Sequence, residues 1–222
     1  MRNNPTDNIA QLSGTDQQGK AMAVVGFSPS QLKIKRIIDI SLSLITICIA
    51  LPLIAFLSII IKTTGKGAII FRQERIGRNG KPFMLLKFRT MHNNAEPDGP
   101  MLSSPTDQRV TAAGRFMRRH KIDELPNFFN VIKGEMSIVG PRPEREYYLQ
   151  QLRTRNPEVD LLLSVKPGIT CTGQVEYGYA SDIDQMTDRL VYELDYVKAP
   201  SLRKDLNIMW QTVLLLLRGR KE

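Results

Sequence analysis

Cysteine is scarce in this chain of 222 residues, since only Cys48 and Cys171 are present. Two such residues supply neither a disulfide framework nor the C-x-x-C spacing of a metal site, and they favour a reducing compartment. The first 36 residues lack the pattern of a secretory signal peptide, so none is predicted. The sequence also has no internal repeat and no P-loop spacing. A disulfide-stabilised secreted domain and a P-loop nucleotide site are therefore excluded.

Acidic residues are outnumbered, because 31 Lys and Arg against 22 Asp and Glu give a formal net charge of +9. Residues 1–30 hold two of each sign, so the whole excess lies in residues 31–222. A basic body suits phosphate-bearing ligands or an anionic membrane surface, and the apolar segment described next favours these over nucleic acid. Residues 1–32, which are rich in small polar side chains, are predicted to form a disordered tail.

A long apolar segment follows this tail. Residues 37–61 carry one charge, Asp39, and exceed the length of about 18 residues that marks a membrane segment. Pro52 removes a backbone hydrogen bond inside the segment, so the helix is expected to break there. Basic residues flank both ends and favour the cytosolic side: Lys33, Lys35, Arg36, Lys62 and Lys66. The pattern favours a re-entrant helix-break-helix hairpin over residues 33–62, while a kinked single span stays open on the residues alone.

Residues 63–222 are predicted to form one compact domain of the α/β class, mostly helical with a small β-hairpin turning at Asn79-Gly80. Helical patterns cover residues 110–133 in two pieces, residues 144–164, and two stretches after Met186. SIVGPRPE and KPGIT are predicted to be turns. The last helix, residues 203–218, has a long apolar face with basic ends, which suits either the bilayer interface or packing on the domain.

The segment RRHKIDELPN places two adjacent carboxylates, Asp123 and Glu124, beside four basic or titratable side chains. These cations, together with a helix N-terminus expected to follow, should keep Asp123 ionised and attract a phosphate. An ionised aspartate facing a phosphate is a candidate nucleophile, and its attack on phosphorus would give an acyl phosphate. Mg²⁺ would shield the approaching negative charges, and both carboxylates are candidates to hold it.

An ordered series of motifs extends this pattern: KRIIDI, RQERIG, KFRTM, DELPNFFNVIKGEMSIVGPRPE, KPGIT and LDYVK. In this order they resemble the bacterial sugar transferases, the monotopic phosphoglycosyl transferases of polyprenol phosphate. The resemblance covers the chain from about Lys35 to Leu217. It implies a membrane hairpin broken at proline, which favours the hairpin over the single span, with the catalytic domain on the cytoplasmic face of the bacterial inner membrane.

The same resemblance implies a ping-pong reaction with two substrates, a UDP-sugar and undecaprenyl phosphate. Asp123 with Glu124 would attack the sugar-linked phosphate and release UMP, and the polyprenol phosphate would then take the sugar phosphate from the aspartate. Phosphate-binding positions of the family match four basic residues here: Lys87, Arg89, Arg118 and Arg142. Membrane lipid is a further expected partner, and a homodimer is left open.

Two departures from the family pattern concern the membrane break and one loop. Leu51 precedes Pro52 where many members have serine, so the angle of the break is less determined. After KPGIT the chain reads CTGQVEYGYASD in place of the family's GWAQV and an arginine-containing loop, and the YGYAS form resembles members that serve exopolysaccharide assembly. Tyr177 and Tyr179 in this loop either stack on a sugar or uracil or pack within the domain.

Three other hypotheses stay open on the residues. A non-enzymatic membrane anchor with a basic body would explain the charge and the apolar segment. A nucleotide-sugar hydrolase would use the same aspartate with water as the acceptor. Cys171 as a nucleophile has no histidine near it in sequence, so a small buried residue is the preferred interpretation.

Overall fold

The computed structural model describes residues 27–64, 67–93, 95–97, 99–104 and 106–218. Their helices and strands are α1 (Pro29–Thr63), β1 (Ile70–Ile76), β2 (Pro82–Phe88), α2 (Ala112–Arg119), α3 (Asn127–Lys133), β3 (Ser137–Val139), α4 (Glu146–Arg155), β4 (Gly168–Thr170), α5 (Thr172–Glu176), α6 (Ile183–Lys198) and α7 (Leu202–Arg218). Three 3₁₀ turns cover Arg78–Gly80, Ile122–Glu124 and Pro157–Ser164. The mostly helical class with small sheets is thus confirmed.

Helix α1 begins four residues before the predicted hairpin, because Ser28 and Gln31 form a capping box and Pro29 fits the first turn. Residues 29–32, predicted to belong to the tail, are therefore helical, and residues 1–26 lie outside the described ranges. The helix assignment runs through Pro52, so the predicted break is not confirmed. Within the described part of the chain, α1 alone is long and apolar enough to cross a membrane.

The predicted β-hairpin is confirmed. Strands β1 and β2 pair antiparallel from Ile70 with Phe88 to Ile76 with Pro82. The connection turns at Asn79 and Gly80, whose φ angles of 59° and 70° lie in the left-handed region that asparagine and glycine tolerate best.

The two predicted turns SIVGPRPE and KPGIT are corrected, since each contributes a short strand. Strands β3 and β4 pair in parallel, with Ser137 opposite Gly168 and Val139 opposite Thr170. Three-residue strands are too short to show an alternating pattern. The glycines were the one feature of the sequence that could have indicated this strand pair. A Cβ on Gly168 would lie 2.2 Å from the Gly140 nitrogen, so the two backbones can approach this closely only where glycine is present.

The helix predicted over residues 144–164 is also corrected. It ends at Arg155, and Pro157–Ser164 continues as a 3₁₀ turn. Asn156 precedes a proline and is extended, with φ −143° and ψ 110°, because the proline ring disfavours the helical region for its neighbour.

Two apolar clusters organise the domain. The larger one lies among β3, α4, α6 and the turn Pro157–Ser164, with Val131, Val159 and Val197 fully buried. The smaller one joins the end of α1 to β2 and α2 through Leu57, Ile61, Phe88 and Met117. The C-terminal end of α1 therefore packs against β2 and α2.

Candidate active site

The Asp123–Glu124 pair lies on a single 3₁₀ turn between α2 and α3. Lys121 starts this turn in the left-handed region, with a φ of 58°. Ile122 and Leu125, on either side of the two acids, pack against the smaller apolar cluster. Both carboxyl-bearing residues are buried, at 6% and 7% exposure. A backbone anchored by apolar side chains thus holds two acids away from water.

Cations from distant parts of the chain meet these acids. Lys87 on β2 donates a hydrogen bond of 2.9 Å from its Nζ to Glu124 Oε1. The Nη1 atom of Arg142 lies 3.9 Å from the same oxygen. Arg142 stands between Pro141 and Pro143, which restrict its backbone. Two of the four predicted phosphate-binding residues therefore contact the acidic pair directly.

The two carboxyls differ in acidity. Burial and the adjacent charge of Glu124 raise the pKa of Asp123 above its usual range, against the opposing charges of Lys87, Lys121 and Arg118. Burial would also raise the pKa of Glu124, but three cations outweigh it and lower that pKa well below its usual range: Lys87, Lys121 and Arg142. In the protein alone, burial therefore outweighs the neighbouring cations at Asp123, and these cations do not lower the pKa of this carboxyl below its usual range.

The helix N-terminus that was expected to follow the acids contributes little to the positive potential around them. Helix α3 has only seven residues, and the acids precede it on a separate turn. The positive charge around the pair comes from side chains instead. Lys121, one of the four basic or titratable residues that precede the acids in RRHKIDELPN, is among them, and burial lowers its own pKa.

Asp123 Oδ1 is buried and accepts no hydrogen bond from any described residue. A buried acceptor without a partner costs free energy, so this atom is suited to receive a ligand. No group of three or more His, Cys, Asp and Glu side chains arranged to hold a metal occurs among the described residues. Any cation bound here would therefore take two protein carboxylates at most and its other oxygens from elsewhere.

The other two predicted arginines lie farther from the pair. Arg118 donates from Nε to Thr90 Oγ1 at 2.9 Å and from Nη1 to Ser103 Oγ at 2.6 Å, while its charge still acts on Asp123. Arg89 donates from Nη2 to the Ile61 carbonyl at 2.8 Å, at the end of α1. Both arginines join elements around the site.

A buried charge network behind Arg142 was also missed. Glu144 accepts from Arg189 at 2.7 Å and from Arg75 at 3.3 Å. The charges of Glu124 and Glu144 raise the pKa of Arg142 despite the opposing effect of burial. Arg75, in the RQERIG motif, pairs with a residue 69 positions later in the chain, and nothing local in its sequence marks that pairing.

Three other residues considered in the sequence, Cys171, Tyr177 and Tyr179, have contacts that need no catalytic role. Cys171 is buried, and burial raises the pKa of its thiol well above the usual range, so the small buried residue is the correct interpretation. Tyr177 donates to Asp188 Oδ2 at 3.4 Å and packs near Tyr192. Tyr179 is 41% exposed and acts electrostatically on Arg142.

Comparison with known proteins agrees with this geometry. The family model described as bacterial sugar transferase matches residues 30–219. The chain belongs to this family. It is 38% identical over 192 residues to the UDP-N-acetylgalactosamine-undecaprenyl-phosphate N-acetylgalactosaminephosphotransferase of Aeromonas hydrophila, covering 86% of this chain and 45% of that protein.

Two further relatives carry a different sugar in their names. The UDP-glucose:undecaprenyl-phosphate glucose-1-phosphate transferase of Klebsiella pneumoniae is 36% identical over 94% of this chain and 46% of its own length. That of Caulobacter vibrioides is 37% identical over 82% of this chain and 69% of its own length. The chain thus spans about half the length of the Aeromonas and Klebsiella proteins and about two thirds of the Caulobacter protein.

Replacing the buried acid should stabilise the protein. Because the folded-state pKa of Asp123 is raised, its ionised form is disfavoured in the native state, and stability is lost as pH rises through that folded pKa. Asp123→Asn is expected to raise the thermal midpoint at pH 8 by about 2–4 °C, the shift that ~1 kcal/mol gives at this size, and by less at pH 5. The exposed Asp184→Asn is the control and should change little. A lower midpoint for Asp123→Asn at pH 8 would contradict this.

Proposed function

We propose that the chain transfers a sugar 1-phosphate from a UDP-sugar to undecaprenyl phosphate and releases UMP. The buried acid pair carries this proposal: one carboxyl has an oxygen without a hydrogen-bond partner among the described residues, and its neighbour is held ionised by cations suited to phosphate. Family membership and the named activities of three relatives support it. The relatives differ in their sugar, so the sugar is left unassigned.

The chemistry proceeds in two displacements at phosphorus. An Asp123 oxygen attacks the sugar-linked phosphorus, and the bond from that phosphorus to the bridging oxygen breaks, so UMP leaves with that oxygen. An oxygen of undecaprenyl phosphate then attacks the same phosphorus, and the Asp123 carboxylate leaves. Lys87 and Arg142 adjoin Glu124 and are positioned to bind the phosphate oxygens that gain charge in both steps.

Asp123 must be ionised to attack, although burial raises its pKa in the protein alone. Asp123 Oδ1 and the Glu124 carboxylate fit Mg²⁺, which commonly takes one or two carboxylates and completes its shell with water and substrate phosphates. When bound, such an ion would favour the ionised carboxylate and neutralise charge on the diphosphate.

Contacts at both ends of α1 support the re-entrant topology. Arg36 bonds to residues 131 and 132, and Leu57 and Ile61 belong to the cluster on which Ile122 and Leu125 pack. In a straight helix residues 36 and 61 lie about 37 Å apart, whereas residues 122–133 span about 20 Å as a 3₁₀ turn and a short helix. A bend at Pro52 meets both sets of contacts more readily than a straight helix does.

Helix α7 is proposed to lie in the bilayer interface on the same side. Its exposed apolar side chains recur at helical spacing on one face: Leu206, Trp210, Val213 and Leu217. The opposite face carries buried Asp205 and Ile208. Together with the proposed hairpin of α1, this orientation supports a site on the cytoplasmic face of the inner membrane, where the reaction would begin exopolysaccharide or another glycoconjugate.

The rival functions explain less of this geometry. A non-enzymatic anchor gains nothing from two buried carboxylates, one of which is destabilised by its surroundings. A hydrolase with water as acceptor does not require a long apolar helix to contact the acidic turn at one end and the following helix α3 at the other.

The nucleophile assignment predicts the fate of the covalent intermediate. Asp123→Asn is expected to abolish UMP release and the gain of a sugar-phosphate mass, because an amide does not attack phosphorus. Glu124→Gln should lower kcat about 10²-fold through lost electrostatic stabilisation. Intact-protein mass spectrometry after addition of a panel of UDP-sugars checks both, with Asp184→Asn as an active control. A sugar-phosphate adduct on Asp123→Asn would refute the assignment.

Metal dependence follows from the same carboxylates. Removal of divalent cations by EDTA is expected to stop UMP release, and added Mg²⁺ should restore it, because a diphosphate and a second phosphate must approach two acids in turn. Residual metal is measured by mass spectrometry in the treated protein. Full activity in protein shown to be metal-free would sink the proposal.

The hairpin predicts where both ends of α1 lie. In a Cys48→Ala, Cys171→Ala background, Ser30→Cys and Thr64→Cys introduce thiols at exposed positions on either side of the apolar residues 37–61. An impermeant maleimide should label neither thiol in intact cells and both after the membrane is opened. Labelling of one of them in intact cells means a single span. Pro52→Leu should make one of them reactive, because it removes the cause of the bend.

A further inference from the structure

Arg36, near the start of α1, bonds to the end of another helix. Its Nη1 donates to the Val131 carbonyl at 2.6 Å and its Nη2 to the Ile132 carbonyl at 2.7 Å. Both carbonyls lie in the last turn of α3, where the helix supplies few partners for backbone acceptors, and the Val131 carbonyl also accepts from the Gly134 amide at 2.9 Å. A guanidinium there meets two such acceptors at once and complements the negative end of the helix.

Helix α3 is also fixed to the strand that supplies a cation of the candidate site. Asn130, fully buried, accepts from the Leu86 amide at 3.1 Å and donates to the Met84 carbonyl at 2.8 Å. Its side chain thus occupies the hydrogen-bonding edge of β2 next to Lys87, whose Nζ contacts Glu124. The position of α3 therefore sets where the acidic turn stands relative to Lys87.

The membrane helix brackets this whole segment. Arg36 holds the last turn of α3, and the cluster of Leu57 and Ile61 supports the turn on which the acids lie. A shift of α3 by a fraction of a turn would pull Glu124 from Lys87, since only Leu125 and Pro126 separate the two elements.

We infer that Arg36 is a positioning residue for the acidic pair, acting through α3, so that α1 is part of the site's framework as well as an anchor. The inference rests on the proposed function. The competing explanation is that Arg36 serves only as one of several basic residues that keep the flank of α1 in the cytosol.

A variant of Lys33 distinguishes these two explanations. It lies three residues earlier on the same helix, carries the same charge and is exposed, so it shares the flank's electrostatic role. Arg36→Lys gives a second comparison, because it keeps the charge but supplies no planar fork for two carbonyls.

The test uses the full chain in lipid nanodiscs and measures UMP release, with kcat and KM determined separately. Arg36→Ala is expected to lower kcat about 100-fold with little change in KM for the UDP-sugar, as displacements near 1 Å do. Arg36→Lys should lose about tenfold, and Lys33→Ala should keep wild-type kcat. Equal losses in Arg36→Ala and Lys33→Ala, or full activity of Arg36→Lys, would overturn the inference.

Hydrogen exchange gives a readout that does not depend on activity. Amides of residues 122–136 should exchange faster in Arg36→Ala than in wild type and stay unchanged in Lys33→Ala, because α3 loses the guanidinium that bonds to two carbonyls of its last turn. Unchanged exchange in Arg36→Ala would also reject the inference. If Arg36→Ala does not accumulate in the membrane, Arg36→Lys decides both measurements. Failure of the wild type to release UMP counts against the proposed function alone.

Discussion

Burial of two adjacent carboxylates on one turn is the constraint on which the rest of this structure depends. Asp123 and Glu124 lose their hydration together, and like charges so close oppose each other's ionisation. The compensating cations come from separate segments: Lys87 on β2, Lys121 at the turn itself and Arg142 between two prolines. The β1–β2 hairpin, the acidic 3₁₀ turn and the Pro-Arg-Pro segment must therefore come together before the acids can be buried.

The cations offset the cost of burial more fully at Glu124 than at Asp123. The pKa values of the two acids therefore shift in opposite directions. Glu124 accepts a hydrogen bond from Lys87 and lies 3.9 Å from the Arg142 guanidinium, so it is held ionised. Asp123 has an oxygen with no partner among the described residues and a raised pKa. Titratable neighbours whose environments push their pKa values apart are typical of reactive sites, where unfavourable burial is tolerated for chemistry.

The apolar helix is joined to the domain by polar contacts as well as apolar ones. Asp39 accepts from the Ile138 amide at 3.0 Å and from Ser137 Oγ at 3.1 Å. Lys35 pairs with Asp205 of α7 at 2.5 Å. Such bonds are largely shielded from water, so they resist screening and fix the helix's orientation on the domain. A segment that served only as a hydrophobic tether would need none of them.

The sequence by itself determined the apolar segment, the hairpin at Asn79-Gly80, the acidic pair and the family, because hydrophobic runs, turn residues and ordered motifs are local signals. It did not determine the β3–β4 pair, the pairing of Glu144 with Arg75 and Arg189, or the contact of Arg36 with α3. Each of these joins residues far apart in the chain, and no local periodicity encodes such a pairing. The acidity of Asp123 was also decided by the tertiary structure, since burial outweighed the charges that its sequence neighbours supply.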